Sequence, residues 1–213
     1  MDSIKSTLSL SRMSTFEREV AGSNVNALDL YRWNAQLSSA LIYPFHIFEV
    51  SLRNAVSDAL SNVHSPHWHT AQSFRRSLKR AKKGYCSLDD LEKVVRKHSK
   101  LSKVIPELKF VFWEKCFTSR FQRQIWEKHI FNTFPNHTSL NLSSTDLREY
   151  IRIQIGLVRE VRNRVAHHEP ILKFDIPILM QSLEQIIRLR CEDTSEWMMA
   201  NQQVLTVYEA RPI

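Results

Sequence analysis

Apolar residues recur at steps of three and four along most of this chain, and no stretch alternates with the period of two that a half-buried strand requires. The pattern predicts an all-α fold, a helical bundle of roughly seven or eight helices. Glycine supports it by scarcity. Three in 213 residues leave little for a turn-rich β fold or for glycine loops that cradle phosphates. With 43% hydrophobic residues the chain has enough apolar mass for a proper core.

Residues 1–25 are rich in Ser and Thr and read as an N-terminal segment, mobile in expectation, with one short helix at most before Gly22-Ser23-Asn24. Residues 26–213 read as a single helical domain. Leu30, Trp33, Leu37 and Leu41 start a stripe expected to end at Ser38-Ser39 or bend at Pro44. Phe45, Phe48, Leu52, Val56 and Leu60 form the next. Ser87-Leu88-Asp89-Asp90 resembles a capping box ahead of Leu91, Val94 and Val95. Phe110, Trp113, Phe117, Phe121 and Ile125 share one helical face and read as core. Asp175 caps a helix with Pro177 in its first turn, and a final amphipathic segment runs from about 195 to 208.

The densest chemistry lies between Val158 and Pro170. Leu147, Ile151, Ile155, Val158 and Val165 mark a buried helix face, and Ser143-Ser144-Thr145-Asp146 offers several N-caps. Pro170 disfavours helical geometry at Glu169, so the helix should end near His167 and His168. Arg159, Arg162, Asn163, Arg164 and the two histidines crowd this last turn. A guanidinium forks onto phosphate oxygens, and an imidazole can pass a proton to or from a hydroxyl near neutral pH. Together they suit attack of a ribose 2′-OH on its own phosphate with no metal. From spacing alone the plainer account is a basic C-terminal turn complementing the helix dipole. In an unbroken helix His167 also lies roughly 140° around from Arg162. The two converge only if the helix loosens near Ala166 or a second chain completes the site.

Other candidates carry simpler accounts beside them. Glu49 and Arg53 have the spacing of an intrahelical ion pair; in the functional account Arg53 and Asn54 face the same groove as Arg162 and Asn163. His64, His67 and His69 invite a metal, but no Cys-x-x-Cys or His-Glu-x-x-His accompanies them, so they read as a polar loop and no metal or cofactor is expected. Arg75, Arg76, Lys79, Arg80, Lys82 and Lys83 form either a solvated face or an RNA track. The net charge of +8, with a pI near 9.6, tilts the balance toward RNA. Three scattered cysteines, no signal peptide and no bilayer-length apolar run predict a cytoplasmic protein with no membrane partner.

Three blocks in order make a more specific pattern than any one of them. Leu30 to Ser38 with Phe48 to Val56, then Leu108 to Pro135, then Val161 to Pro170 resemble the Abi-like proteins of bacterial abortive infection. That family looks like a branch of the HEPN superfamily, helical domains marked by Arg, a polar residue, a few more residues, then His. Carried over, the pattern falls on Arg162, Asn163 and His167, with His168 an alternative histidine. The resemblance implies a metal-independent endoribonuclease that halts the cell during phage infection. It also implies a homodimer whose interface completes the site, with an antitoxin or regulatory partner as a further candidate. Some relatives are non-catalytic, so an RNA- or protein-binding helical module is the alternative, and a helical dimerisation unit with an incidental basic face comes third.

Overall fold

The computed structural model describes residues 2–78, 80 and 83–213. Among them are twelve α-helices and no strand, so the chain is all-α with more helices than the apolar pattern predicts. The reason is length. The helices α1 (Asp2–Leu8), α4 (Gln72–Ser77), α6 (Leu101–Glu107), α7 (Phe110–Lys115), α8 (Glu127–Thr133) and α12 (Val204–Glu209) each have six or seven residues. That is under two turns, too short for a three-and-four repeat to declare itself.

The axis of the molecule is α3 (Ala27–His64), 38 residues and about 57 Å long at 1.5 Å per residue. Asn26 caps it by accepting from the Leu28 N–H at 2.9 Å. The break expected at Ser38-Ser39 or Pro44 does not end it: one helix runs through the proline. Leu41, Phe45 and Phe48 flank Pro44 and are at most 3% exposed. Burying each contributes roughly 1.5–3 kcal/mol, against about 3 kcal/mol for a proline inside a helix. Packing wins.

Around α3 lie α2 (Leu10–Glu19), α8, α9 (Ser144–Ala166), α10 (Ile176–Arg190) and α12. The N-terminal stretch expected to hold one short helix holds two, and Met13 and Phe16 of α2 are fully buried in the core. The caps of α9 and α10 are the expected ones, Ser143 accepting from Asp146 N–H at 3.2 Å and Asp175 from Ile178 N–H at 3.0 Å. The box ahead of α5 (Ser87–Lys97) does not form. Its N-cap is Cys86 without a side-chain cap, and Asp90 turns inward to accept from the Tyr85 hydroxyl at 2.8 Å and the Lys109 N–H at 3.2 Å. The expected final segment is two helices, α11 (Glu192–Asn201) and α12.

The aromatic stretch is buried as expected but is not one helix. After α7 come a 3-10 turn (Ser119–Phe121) and a π turn (Gln122–Trp126) before α8. The break frees the Cys116 carbonyl, which accepts from the Trp126 indole at 2.7 Å, and lets Phe117 stack on Trp126 at 4.4 Å. Two large rings find each other only because the backbone folds back. No helix among the described residues is long and apolar enough to cross a membrane.

Candidate functional site

Two of the three sequence blocks meet at one carboxylate. Glu49, 8% exposed on α3, accepts from Arg53 Nη2 at 2.6 Å on one oxygen and from Arg162 Nε at 2.7 Å on the other. The intrahelical pair foreseen in the sequence is therefore half of a three-residue cluster. Two guanidiniums against one carboxylate leave a net positive charge at the wall of a groove of about 410 Å³. Phe45, His46, Arg53, Pro106 and Ala166 also line it. Among the described residues Arg162 spends only its Nε, on Glu49, so its two terminal nitrogens keep their donors. Arg53 Nε is buried there without a hydrogen-bond partner among the described residues. A rigid fork with free ends beside an orphaned donor suits a phosphate oxygen.

The end of α9 explains where the histidines go. His167 is the C-cap, and His168 follows in the left-handed region at φ 56°. The Glu169 N–H reaches the Arg164 carbonyl at 2.8 Å and the His168 N–H reaches the Val165 carbonyl at 3.1 Å. These two bonds make a Schellman turn, with histidine where glycine is usual and Pro170 just beyond it. The helix stays closed through Ala166, so it does not loosen as convergence within one chain would need. His167 is exposed and does not line the Arg162 groove. His168 lines a neighbouring hollow with Phe16, Tyr31 and Asn34, and its carbonyl accepts from Arg12.

The remaining candidates spread out. Asn163 is half-buried, with no hydrogen bond from its side chain among the described residues. Arg159 pairs with Glu114 at 2.9 Å, a link to the second block. Arg164 pairs with Glu169 at 3.2 Å and lies over the Phe174 ring at 5.5 Å. Asn54 is exposed and does not line the groove: Arg53 stands four positions after Glu49 on one helix face, and Asn54 falls beside that face. Arg76, Arg80 and Lys83 are exposed and Arg75 half-buried, while Lys79 and Lys82 fall outside the described residues. This basic segment follows the end of α3, whose last residue His64 lies about 22 Å along the helix from Glu49 at 1.5 Å per residue.

Of the three histidines at and just beyond the end of α3, His64 and His69 have side-chain hydrogen-bond partners. His69, 1% exposed, donates from Nε2 to the Ser99 carbonyl at 3.0 Å, and His64 Nδ1 is hydrogen-bonded to Ser73 Oγ at 2.9 Å. Burial pushes the His64 imidazole below its ordinary value. Among the described residues no group of three or more His, Cys, Asp or Glu could hold a metal.

Sequence reasoning missed three contributors. His46 lines the Arg162 groove, three residues before Glu49 on the same face of α3. Asn34, 7% exposed, accepts the Ile171 N–H at 2.9 Å and so ties the chain beyond Pro170 to α3. Arg12 braces the Schellman turn from 156 residues away. The spacing of His46 to Glu49 was visible in the sequence; nothing there paired Arg12 with His168.

A family model described as Abi-like protein matches residues 7–173 of this chain. No curated protein and no solved structure matches it.

Proposed function

The chain belongs to the Abi-like proteins, and from that premise we propose that it is an endoribonuclease toxin of abortive infection, of HEPN type, that cleaves RNA without a metal. The observation that carries the reading is Arg162. Glu49 fixes its guanidinium by Nε alone and leaves the outer fork to a phosphate, at the end of the helix that presents His167 to solvent.

The chemistry follows from those groups. A neutral imidazole takes the 2′-OH proton as that oxygen attacks the adjacent phosphorus. Arg162 stabilises the pentacoordinate phosphate, and a second imidazole returns a proton to the departing 5′-oxygen. The products are a 2′,3′-cyclic phosphate and a 5′-hydroxyl, with protons and charge balanced and no water consumed. Asn163 orients the histidine or holds a phosphate oxygen. His167 of one copy serves Arg162 of another across a twofold interface, and His46 on the groove wall is a further imidazole for the same transfers. Ile42 and Val50, 55% and 42% exposed, flank the groove and give a second copy apolar surface to cover. One observation favours the alternative, a non-cleaving RNA- or protein-binding module: the imidazole of the Arg-Asn-x3-His pattern lies outside the Arg162 groove within one chain.

Purified protein incubated with total RNA in EDTA tests the reading. Cleavage leaving cyclic phosphate ends is the expected result, and activity that vanishes in chelator and returns with Mg²⁺ overturns it.

A further inference from the structure

Beside the Arg162 groove lies a second hollow of different character. It holds about 310 Å³ between α2, α3 and the end of α9, at the small end of the range of roughly 300–1,000 Å³ typical of small-molecule pockets. Tyr31 forms one wall, braced edge to face by the buried Phe16 ring at 5.0 Å. Asn34 commits its Oδ1 to the Ile171 N–H, so its amide NH₂ is the group left to offer. Ser38, Ser39 and His168 complete the polar lining. Among the described residues no Asp, Glu, Lys or Arg lines it. Ile42 borders both this hollow and the cationic groove, so the two are neighbours across one side chain.

We propose that this hollow, with the Tyr31 ring as its platform and Asn34, Ser38 and His168 on its rim, is a subsite for one unpaired RNA base next to the scissile phosphate. The division of labour follows from charge. A phosphate finds arginines lining the groove and, among the described residues, none lining the hollow. A base is neutral and planar, stacks on an aromatic face, and is read along its edge by amide and hydroxyl groups, which are the groups the hollow holds. The assignment gives the adjacent histidines separate work: His168 lines the hollow, while His167 remains outside for proton transfer. The identity of the ligand rests on the ribonuclease reading, since it is the Arg162 groove that makes a phosphate the neighbour.

The test is calorimetric titration of the full-length protein with the four ribonucleoside 3′-monophosphates and with ribose 5-phosphate. One base is expected to bind about tenfold more tightly than the others, the scale of a stacked and edge-read base. Ser38→Trp, which fills the hollow, should reduce all four to the affinity of ribose 5-phosphate. Ala35→Phe, at an exposed lining position, repeats the block should Ser38→Trp fail to fold. Arg162→Ala should weaken every nucleotide alike and leave the preference intact. Equal affinity for all four bases, or a preference that survives both blocking variants, overturns the subsite. So does loss of self-association in the blocked variants with base preference unchanged, which would make the hollow a seat for a second copy. The two readings fail separately. A protein that discriminates bases yet cuts no RNA loses the nuclease and keeps the subsite; one that cuts RNA without base preference does the reverse.

Discussion

At the scale of single residues, the decisive group is Glu49, a buried carboxylate held between Arg53 and Arg162. Its removal leaves Arg53 and Arg162 to repel each other and frees the Arg162 head to turn. Glu49→Ala is therefore expected to lower stability by roughly 2 kcal/mol, the scale of hydrogen bonds to charged groups, in urea denaturation. It should also cut RNA cleavage while bulk binding persists. Wild-type cleavage in that variant would reduce Glu49 to a packing role. The Schellman turn makes a second claim. His168 sits at φ 56°, where a β-carbon is costly. His168→Gly should leave stability unchanged or slightly raised, and His168→Val should lower it by about 1–2 kcal/mol. Equal melting temperatures for the two would show that the turn opens freely.

At the scale of elements, α3 carries both halves of the first sequence block and gives one wall to both hollows. Its last turn ends on His64, whose ring lies 5.3 Å from Phe74 and whose Nε2 is buried without a partner. Burial holds this imidazole below its ordinary value, so the unfolded chain takes up a proton at higher pH than the folded one. His64's contribution to stability is thus complete above the unfolded value. It is lost as the pH falls from there through the lower folded value. Between about pH 7.5 and pH 5.5, His64→Asn should lose less stability than the wild type, because Asn keeps a partner for Ser73 and does not titrate. Parallel pH profiles would assign the slope to other groups. The helix α2 has a part here too, since Phe16 walls one hollow and Arg12 holds the turn after α9.

At the scale of the whole molecule, the Arg-Asn-x3-His pattern is split by the helix that bears it. Arg162 faces α3 and His167 faces solvent, so a composite site is expected to need two copies. Mixing Arg162→Ala protein with His167→Ala protein should restore part of the cleavage that each lacks, because a mixed dimer keeps one intact Arg–His pairing. A stably monomeric protein that still cleaves would sink the shared site. Much of this was legible in the chain. The apolar spacing of α9 and α10, their caps, the burial of the aromatic stretch and the stop at Pro170 are local matters of periodicity, capping and backbone geometry, and those the sequence determined by itself. It determined as well which residues could do phosphate chemistry, because that follows from side-chain type. Tertiary structure alone decided that Pro44 would not break α3, since buried neighbours offset its cost. It decided that Glu49 would clamp Arg162 from 113 residues away, that His46 and not Asn54 would share the groove, and that Arg12 would brace the histidine turn. Those pairings join parts of the chain whose separation carries no local signal, and only the packing of α2, α3 and α9 brings them within reach.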